Sequence, residues 1–275
     1  MRSFLRQMPA AVRVLILLSV VLGVIYPLAI TAVAQIPGLR SRADGSLLKV
    51  NGEVVGSSLI GQDFKGERKY FQSRPSAAGD GYDPTATSAS NLGPESIVGT
   101  DSLLSQVCAR SLAIGKRYGV DGLRPFCTPD GVGAVLAVFH AGPGYDGPVT
   151  KAISVNQICP AKPFVTTYQG APVLCAARGV DYAKGQIVPI RGNAPAHPVV
   201  PADAVTASGS GLDPNISPAY AKLQEASVAQ ARGISVDRVA AIVDRYTYGR
   251  DLGFFGEPRV NVLQVNLALD RSYPR

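Results

Sequence analysis

The sequence predicts an α+β protein with one N-terminal transmembrane helix, followed by a mixed extracytoplasmic domain that carries a disulfide-stapled insertion. Three observations lead there. Residues 14–39 hold no charged side chain. Cysteines number four, Cys108, Cys127, Cys159 and Cys175, an even count that suits an oxidising compartment. Beyond the apolar run, segments with a period near 3.6 alternate with short β-rich runs, and no repeat of 20–50 residues intervenes.

The first element is the anchor. The turn Pro37-Gly38 closes the uncharged run, leaving 14–36 as usable helix. At ~1.5 Å per residue that is about 34 Å, enough for a hydrocarbon core of ~30 Å. Arg2, Arg6 and Arg13 precede it, so residues 1–13 are a basic start that places the N-terminus in the cytoplasm and the rest outside. Arg40 and Arg42 weaken this contrast without reversing it. Pro27 falls in the outer half of the span, where neighbouring helices or local adjustments must satisfy the freed carbonyl. Tyr26 and Pro27 are therefore the expected packing positions for lipid or a partner. Ala32-Val-Ala34 before Gln35 has the small-x-small pattern of a cleavage site, but the apolar run exceeds the ~7–15 residues of a signal-peptide core.

Residues 47–50 and 53–59 flank Asn51-Gly52 and read as a hairpin, because both turn residues favour positive φ. Residues 61–95 are rich in Gly, Ser, Pro and Asn, around the aromatic pair Tyr70-Phe71. A stretch so irregular needs a job or a surface to pack on. A helix begins near Asp101, with Leu103, Leu104, Val107, Cys108, Leu112 and Ile114 as its apolar stripe and Gly119 as its stop. Residues 120–198 change character, with three cysteines, both histidines and many Gly and Pro, and read as an insertion of turns and short strands. Four cysteines allow three pairings, and short loops favour Cys108–Cys127 with Cys159–Cys175. Ser217-Pro218 opens a helix that Gly233 closes. A second helix runs from Ser235 with Val236, Val239, Ala240, Val243 and Tyr246 on one face, ending at Gly249. Residues 259–267 alternate and read as a strand, with Asn261, Leu263, Val265 and Leu267 on one face. Residues 37–119 and 199–275 are thus expected to form the core domain.

Composition narrows function. The net charge is +7, with three of the 27 basic residues ahead of the span and no dense basic block after residue 42. This argues against nucleic-acid binding. There is no CxxC pair, and the only histidines, His140 and His197, stand far apart, which makes a poor metal site. Ser208 or Ser210 with His197 and Asp213 supplies the residue types of a serine nucleophile, but Gly-x-Ser-x-Gly is absent and His197 sits in a Pro-rich stretch. Acidic residues are scattered singly. Asn215-Ile-Ser217 matches a glycosylation triplet, but Ser217 is more simply a helix cap. In Val205-Thr-Ala-Ser-Gly-Ser-Gly-Leu-Asp213, Gly209 and Gly211 permit close backbone approach and the hydroxyls can donate to an anion. The lysine of a phosphate loop is missing, and a tight turn capping the helix at Ser217 explains the residues better. The chain reads as an accessory or binding subunit without catalytic residues, against the alternative of a membrane-anchored extracytoplasmic enzyme or binding module.

A set of motifs in order carries a family likeness: Tyr26-Pro-Leu28 in the span, Asp44-Gly-Ser-Leu47, Gly56-Ser-Ser-Leu-Ile-Gly-Gln62, Tyr70-Phe-Gln-Ser-Arg-Pro-Ser-Ala77, Ser90-Asn-Leu-Gly-Pro94, Val205 to Asp213, and Glu257-Pro-Arg-Val-Asn-Val-Leu-Gln-Val-Asn-Leu-Ala-Leu-Asp270. Over residues 12–118 and 199–270 the chain resembles the small C subunit of the bacterial Kdp-type potassium-transporting ATPase. The resemblance implies a single-span subunit of the bacterial plasma membrane. It implies assembly with a channel-like potassium-binding subunit and a P-type ATPase subunit, in a complex that hydrolyses ATP to import potassium. It implies no hydrolysis by this subunit itself. One family proposal makes it a catalytic chaperone raising the pump's affinity for ATP, with Ser208, Gly209, Ser210, Gly211 and Gln224 at the nucleotide. The expected topology puts those residues where cytoplasmic ATP does not reach, which favours an outer domain capping the pore entrance. Residues 120–198 have no recognised counterpart in shorter members, and a Cys108–Cys127 bridge would tie them to the core.

Overall fold

A computed structural model describes residues 2–274, and for residues 2–6 the backbone only. Met1 and Arg275, the outer ends of the expected basic start and core domain, and the side chains of Arg2 and Arg6 lie outside the described residues. The chain divides after Leu59 into two compact units.

The first unit opens with α1 (Arg2–Val20), a π-helical turn (Val21–Ile25) and α2 (Tyr26–Ala34). Residues Gln7–Ala34 make 28 residues long and apolar enough to cross a bilayer, and none of the most apolar stretch is buried within the protein. The helix starts well before the expected residue 14 and takes Pro9 inside it. The π turn has a local cause. In a regular α-helix the Pro27 ring would press on the Gly23 carbonyl. Here the turn is widened, with the Tyr26 amide reaching back to Val21 O. Thr31 Oγ1 then donates to the Pro27 carbonyl at 2.8 Å. After a short α3 (Arg40–Ala43), β1 (Leu47–Val50) and β2 (Glu53–Ser57) form the expected antiparallel hairpin, with Asn51 at φ 51° and Gly52 at φ 88°.

The second unit begins with an extended stretch and α4 (Leu103–Tyr118). The Ser102 hydroxyl caps α4 by accepting from the Ser105 amide, and Gly119 closes it at φ 69°. Then come β3 (Val135–His140), β4 (Val149–Ile158), β5 (Thr167–Tyr168), β6 (Ala171–Ala176) and β7 (Gln186–Pro189). These five build one sheet in the order β5-β6-β4-β3-β7, antiparallel except for the parallel β4–β6 pair. Both faces are covered. Val135, Ala137, Ile153 and Val155 are buried on one side, Leu136, Val138, Ala152 and Val173 on the other. The region read as turns and short strands is thus a layered sheet whose central strand has ten residues. Continuous apolar runs, as in a sheet buried on both faces, hide the period-2 signal.

The chain continues through β8 (Asn215–Ile216), α5 (Pro218–Arg232), α6 (Val236–Arg245), β9 (Thr247–Tyr248), β10 (Arg259–Asn261) and α7 (Val262–Ser272). Strands β8, β10 and β9 form a small antiparallel sheet in that order. Ser217 caps α5 and Gly233 ends it at φ 65°, as expected. Helix α6 stops at Arg245, short of Gly249. The expected strand over 259–267 is corrected: only three residues are strand. The Asn261 side chain then accepts from the Gln264 amide and starts a helix. Val262, Leu263, Val265, Asn266, Ala268 and Leu269 are all buried, so the wide apolar face imitated alternation. The main core gathers α5, α6 and α7 around Phe71, Val205, Ile216 and Val260.

All four cysteines are bridged. Cys108–Cys127 joins α4 to the segment before β3, and Cys159–Cys175 joins the end of β4 to β6.

Candidate functional site

The family-like motifs in the second unit converge on one irregular segment, residues 69–76, which leaves a turn at Lys69 and a bend at Tyr70 and runs on outside any helix or strand. It has no strand neighbour, so its backbone must find hydrogen bonds elsewhere. Side-chain amides supply them. Asn266 on α7 accepts from the Phe71 amide at 2.8 Å and donates to the Phe71 carbonyl at 3.0 Å. Gln224 on α5 does the same for Gln72, accepting at 2.7 Å and donating at 3.1 Å. The Tyr118 hydroxyl from α4 donates to the same Gln224 oxygen at 3.1 Å. Phe71 and Gln224 are wholly buried. Burial pushes the Tyr118 phenol up from its ordinary value.

Either end of the segment is pinned by charge. Arg232 on α5, almost fully buried, donates to the Lys69 carbonyl at 2.7 Å and pairs with Asp270 at 2.8 Å. The Tyr70 hydroxyl donates to the other Asp270 oxygen. Arg74 pairs with Asp213 at 2.9 Å and donates to the Thr206 carbonyl. The Tyr82 hydroxyl donates to the Arg74 carbonyl at 2.8 Å, and burial pushes its pKa up to about 12.

The glycine-serine stretch folds against this strip. Ser76 donates to the Gly211 carbonyl at 2.7 Å, while the Ser88 amide and the Thr87 hydroxyl both donate to the Ser210 carbonyl. The Ser208 hydroxyl accepts from the Gly211 amide and the Ser210 hydroxyl from the Leu212 amide. The two glycines differ. A Cβ on Gly211, at φ 72°, would stand 2.7 Å from Ala78, whereas one on Gly209 would meet nothing within 4 Å. Gly211 therefore serves close packing against Ala78 and Ser88.

The residues named for a nucleotide are held apart by role. Gln224 sits in the interior with its amide engaged, whereas residues 208–211 form a bend that exposes Gly209 and Ser210 and buries Gly211. What joins them is the common strip, Gln72 at one point and Ser76 at another. Asp213 serves Arg74 and the Asn215 amide rather than a histidine, so a Ser208 or Ser210 nucleophile with His197 finds no relay here. Among the described residues no cluster of three or more His, Cys, Asp or Glu could hold a metal ion. The irregular stretch 61–95 finds much of its packing surface within its own chain: Phe71 and Ala78 are fully buried.

Asn266 was not singled out by sequence reasoning. A polar residue inside an apolar helical face is the available signal, both for Asn266 between Val265 and Ala268 and for Gln224 between Ala221 and Val228.

Comparison with known proteins points the same way as the motifs. Residues 8–158 and 180–271 match the family described as K+-transporting ATPase, c chain. A potassium-transporting ATPase KdpC subunit from Kineococcus radiotolerans is 40% identical over 272 residues, covering 99% of this chain and 97% of that protein. The KdpC subunit of Mycobacterium tuberculosis is 37% identical over 266 residues, with 97% and 98% covered. That of Rhodospirillum rubrum is 37% identical over 270 residues, with 98% of each chain covered. The family match runs through most of 120–198 and leaves out only 159–179, so the departure from the family pattern is narrower than the motifs suggested. That short stretch begins at Cys159 and contains Cys175.

Proposed function

The chain belongs to the K+-transporting ATPase c chain family, and from that premise we propose that it is a single-span accessory subunit whose helix clamps the assembly while the domain after it caps the outer entrance of the potassium path. The partners are the channel-like potassium-binding subunit and the P-type ATPase subunit of a Kdp-type complex in a bacterial plasma membrane. One observation carries this reading: the 28-residue apolar helix Gln7–Ala34, with its most apolar stretch wholly unburied. Such a surface is stable only against lipid or other helices. Tyr26, at the π turn beside Pro27, is 59% exposed and gives that surface an irregular feature for a neighbouring helix to recognise.

The orientation has two supports. Arg13, just before the uncharged run that starts at Val14, and the basic residues preceding it favour a cytoplasmic N-terminus. Two disulfides suit a domain held outside the reducing cytoplasm. In this reading residues 208–211 and Gln224 hold the fold rather than ATP. The Gln224 amide is engaged by Gln72 and Tyr118, and the Ser208 and Ser210 hydroxyls serve their own turn. ATP hydrolysis belongs to the P-type subunit, and this subunit supplies no catalytic residue and no cofactor.

Protease protection tests the topology. Right-side-out spheroplasts should lose the domain after residue 59 to added protease, and inverted vesicles should keep it. Protection in spheroplasts with digestion in inverted vesicles would reverse the orientation and remove the capping role.

A further inference from the structure

Between β9 and β10 the chain makes a hairpin whose tip projects from the domain. The tip holds three large apolar side chains: Leu252 is 83% exposed, Phe254 65% and Phe255 57%. They are presented rather than left over. Leu252 stands at φ 54°, a backbone region that turns usually give to Gly or Asn, so an apolar side chain is held outward against local preference. The Phe254 and Phe255 rings lie 4.2 Å apart and form one wedge. A Cβ added at Gly249, Gly253 or Gly256 would meet nothing within 4 Å, so the tip is open around its glycines.

The layering along the hairpin says what it fits. At the tip, four backbone amides are paired internally: the Asp251 amide donates to the Phe255 carbonyl, the Phe255 and Phe254 amides to the Asp251 carbonyl, and the Gly253 amide to the Arg250 carbonyl. A tip so paired can leave water with a reduced desolvation cost. Just behind it lies a charged collar, Arg250 with Glu257 at 2.6 Å and Arg259 with Asp251 at 3.3 Å. Behind that comes Tyr248, whose hydroxyl donates to Gln264. The collar's charges cancel in pairs, so its complement is a surface without net charge.

We infer that Leu252, Phe254 and Phe255 form a wedge that enters the hydrocarbon edge of a zwitterionic bilayer, with the Arg250–Glu257 and Arg259–Asp251 pairs at the headgroups. The inference rests on the reading of Gln7–Ala34 as a membrane anchor. The anchor confines the domain near lipid, so a three-residue wedge of modest affinity suffices. The wedge would limit tilting of the domain over the membrane.

The chain has no tryptophan, which makes a direct test available. Full-length chain is reconstituted into phosphatidylcholine vesicles, with or without brominated acyl chains, as single-tryptophan variants Phe254→Trp, Val180→Trp and Leu22→Trp. Val180, exposed elsewhere in the domain, is the control. The expected result is blue-shifted emission from F254W that is lost in brominated vesicles, unchanged at high salt, with V180W emitting as in water. Water-like, unquenched emission from F254W overturns the inference. So does emission that shifts to the blue only when the other ATPase subunits are added and resists bromine, which would place the wedge on protein. L22W separates the two readings. Quenching there without quenching of F254W leaves the anchor intact and removes the wedge. Quenching of F254W without L22W removes the anchor and keeps the wedge.

Discussion

Two regions of the second unit solve the same problem in different ways. In the five-stranded sheet, backbone amides and carbonyls pair with other strands, a ladder that accepts many side chains. Along residues 69–76 the backbone partners are the side chains of Asn266, Gln224, Arg232 and Tyr82. There the residue identity is itself the hydrogen bond. The difference explains where motifs are found. Tyr70-Phe-Gln-Ser-Arg-Pro-Ser-Ala77 and the 257–270 stretch are recognisable because a side chain in each, Ser76 and Asn266, bonds the backbone of another segment, whereas β3 to β7 read only as apolar runs.

Breaking the clamp should have the largest effect. Gln224→Ala leaves the Gln72 amide and carbonyl without their partner beside a buried cavity, and is expected to cost about 4 kcal/mol in denaturant unfolding, with Asn266→Ala close behind. A loss under about 1 kcal/mol would show that the strip is held by something else. On the other side of the comparison, replacing Cys159 and Cys175 together by alanine opens a loop with a sequence separation of 16. The expected cost is ~3 kcal/mol, confined to the β4–β6 edge in hydrogen exchange. Spread of that exchange to the 69–76 strip would deny that the two regions are independent.

The glycine pair sharpens the role of the 205–213 turn. Gly211→Ala should cost about 2–3 kcal/mol through overpacking against Ala78 and positive φ, while Gly209→Ala should stay within about 0.5 kcal/mol. Equal tolerance of both would favour a ligand-facing loop over a packed turn. The last effect is confined to alkaline pH. The Tyr82 pKa is raised to about 12 by burial, so above pH 10 the unfolded chain gives up this proton before the folded one does. Stability should fall as pH rises from 10 to 12, and Tyr82→Phe should flatten part of that slope in thermal melts.

Local chemistry was legible in the sequence where a single residue type carries it. Asn51-Gly52 marked the hairpin, Ser217-Pro218 and Gly233 marked α5, and Gly119 marked the end of α4. Of the three possible pairings, the one that short loops favour, Cys108 with Cys127 and Cys159 with Cys175, is the one formed. Strand-like alternation over 259–267 misled because α7 buries so wide a face that every second residue is apolar. The parallel β4–β6 pair and the anchoring of residues 69–76 by α5 and α7 depend on partners far along the chain, which local patterns do not register. Gln224 drew attention through the family likeness, and its position shows a physical reason for a glutamine there: one amide satisfies both backbone groups of Gln72.

The central claim is that the exposed apolar helix makes this chain a membrane subunit of a potassium-transporting ATPase. The most direct measurement is gentle detergent extraction of a tagged full-length chain from membranes that contain the other subunits of the complex, followed by subunit identification and assay of potassium-stimulated ATP hydrolysis. Co-isolation with the potassium-binding and P-type subunits, with activity in the eluate and loss of both when residues 2–34 are replaced by a cleavable secretion signal, is the predicted result. A full-length chain that elutes alone, or one that assembles equally well without its helix, would contradict it.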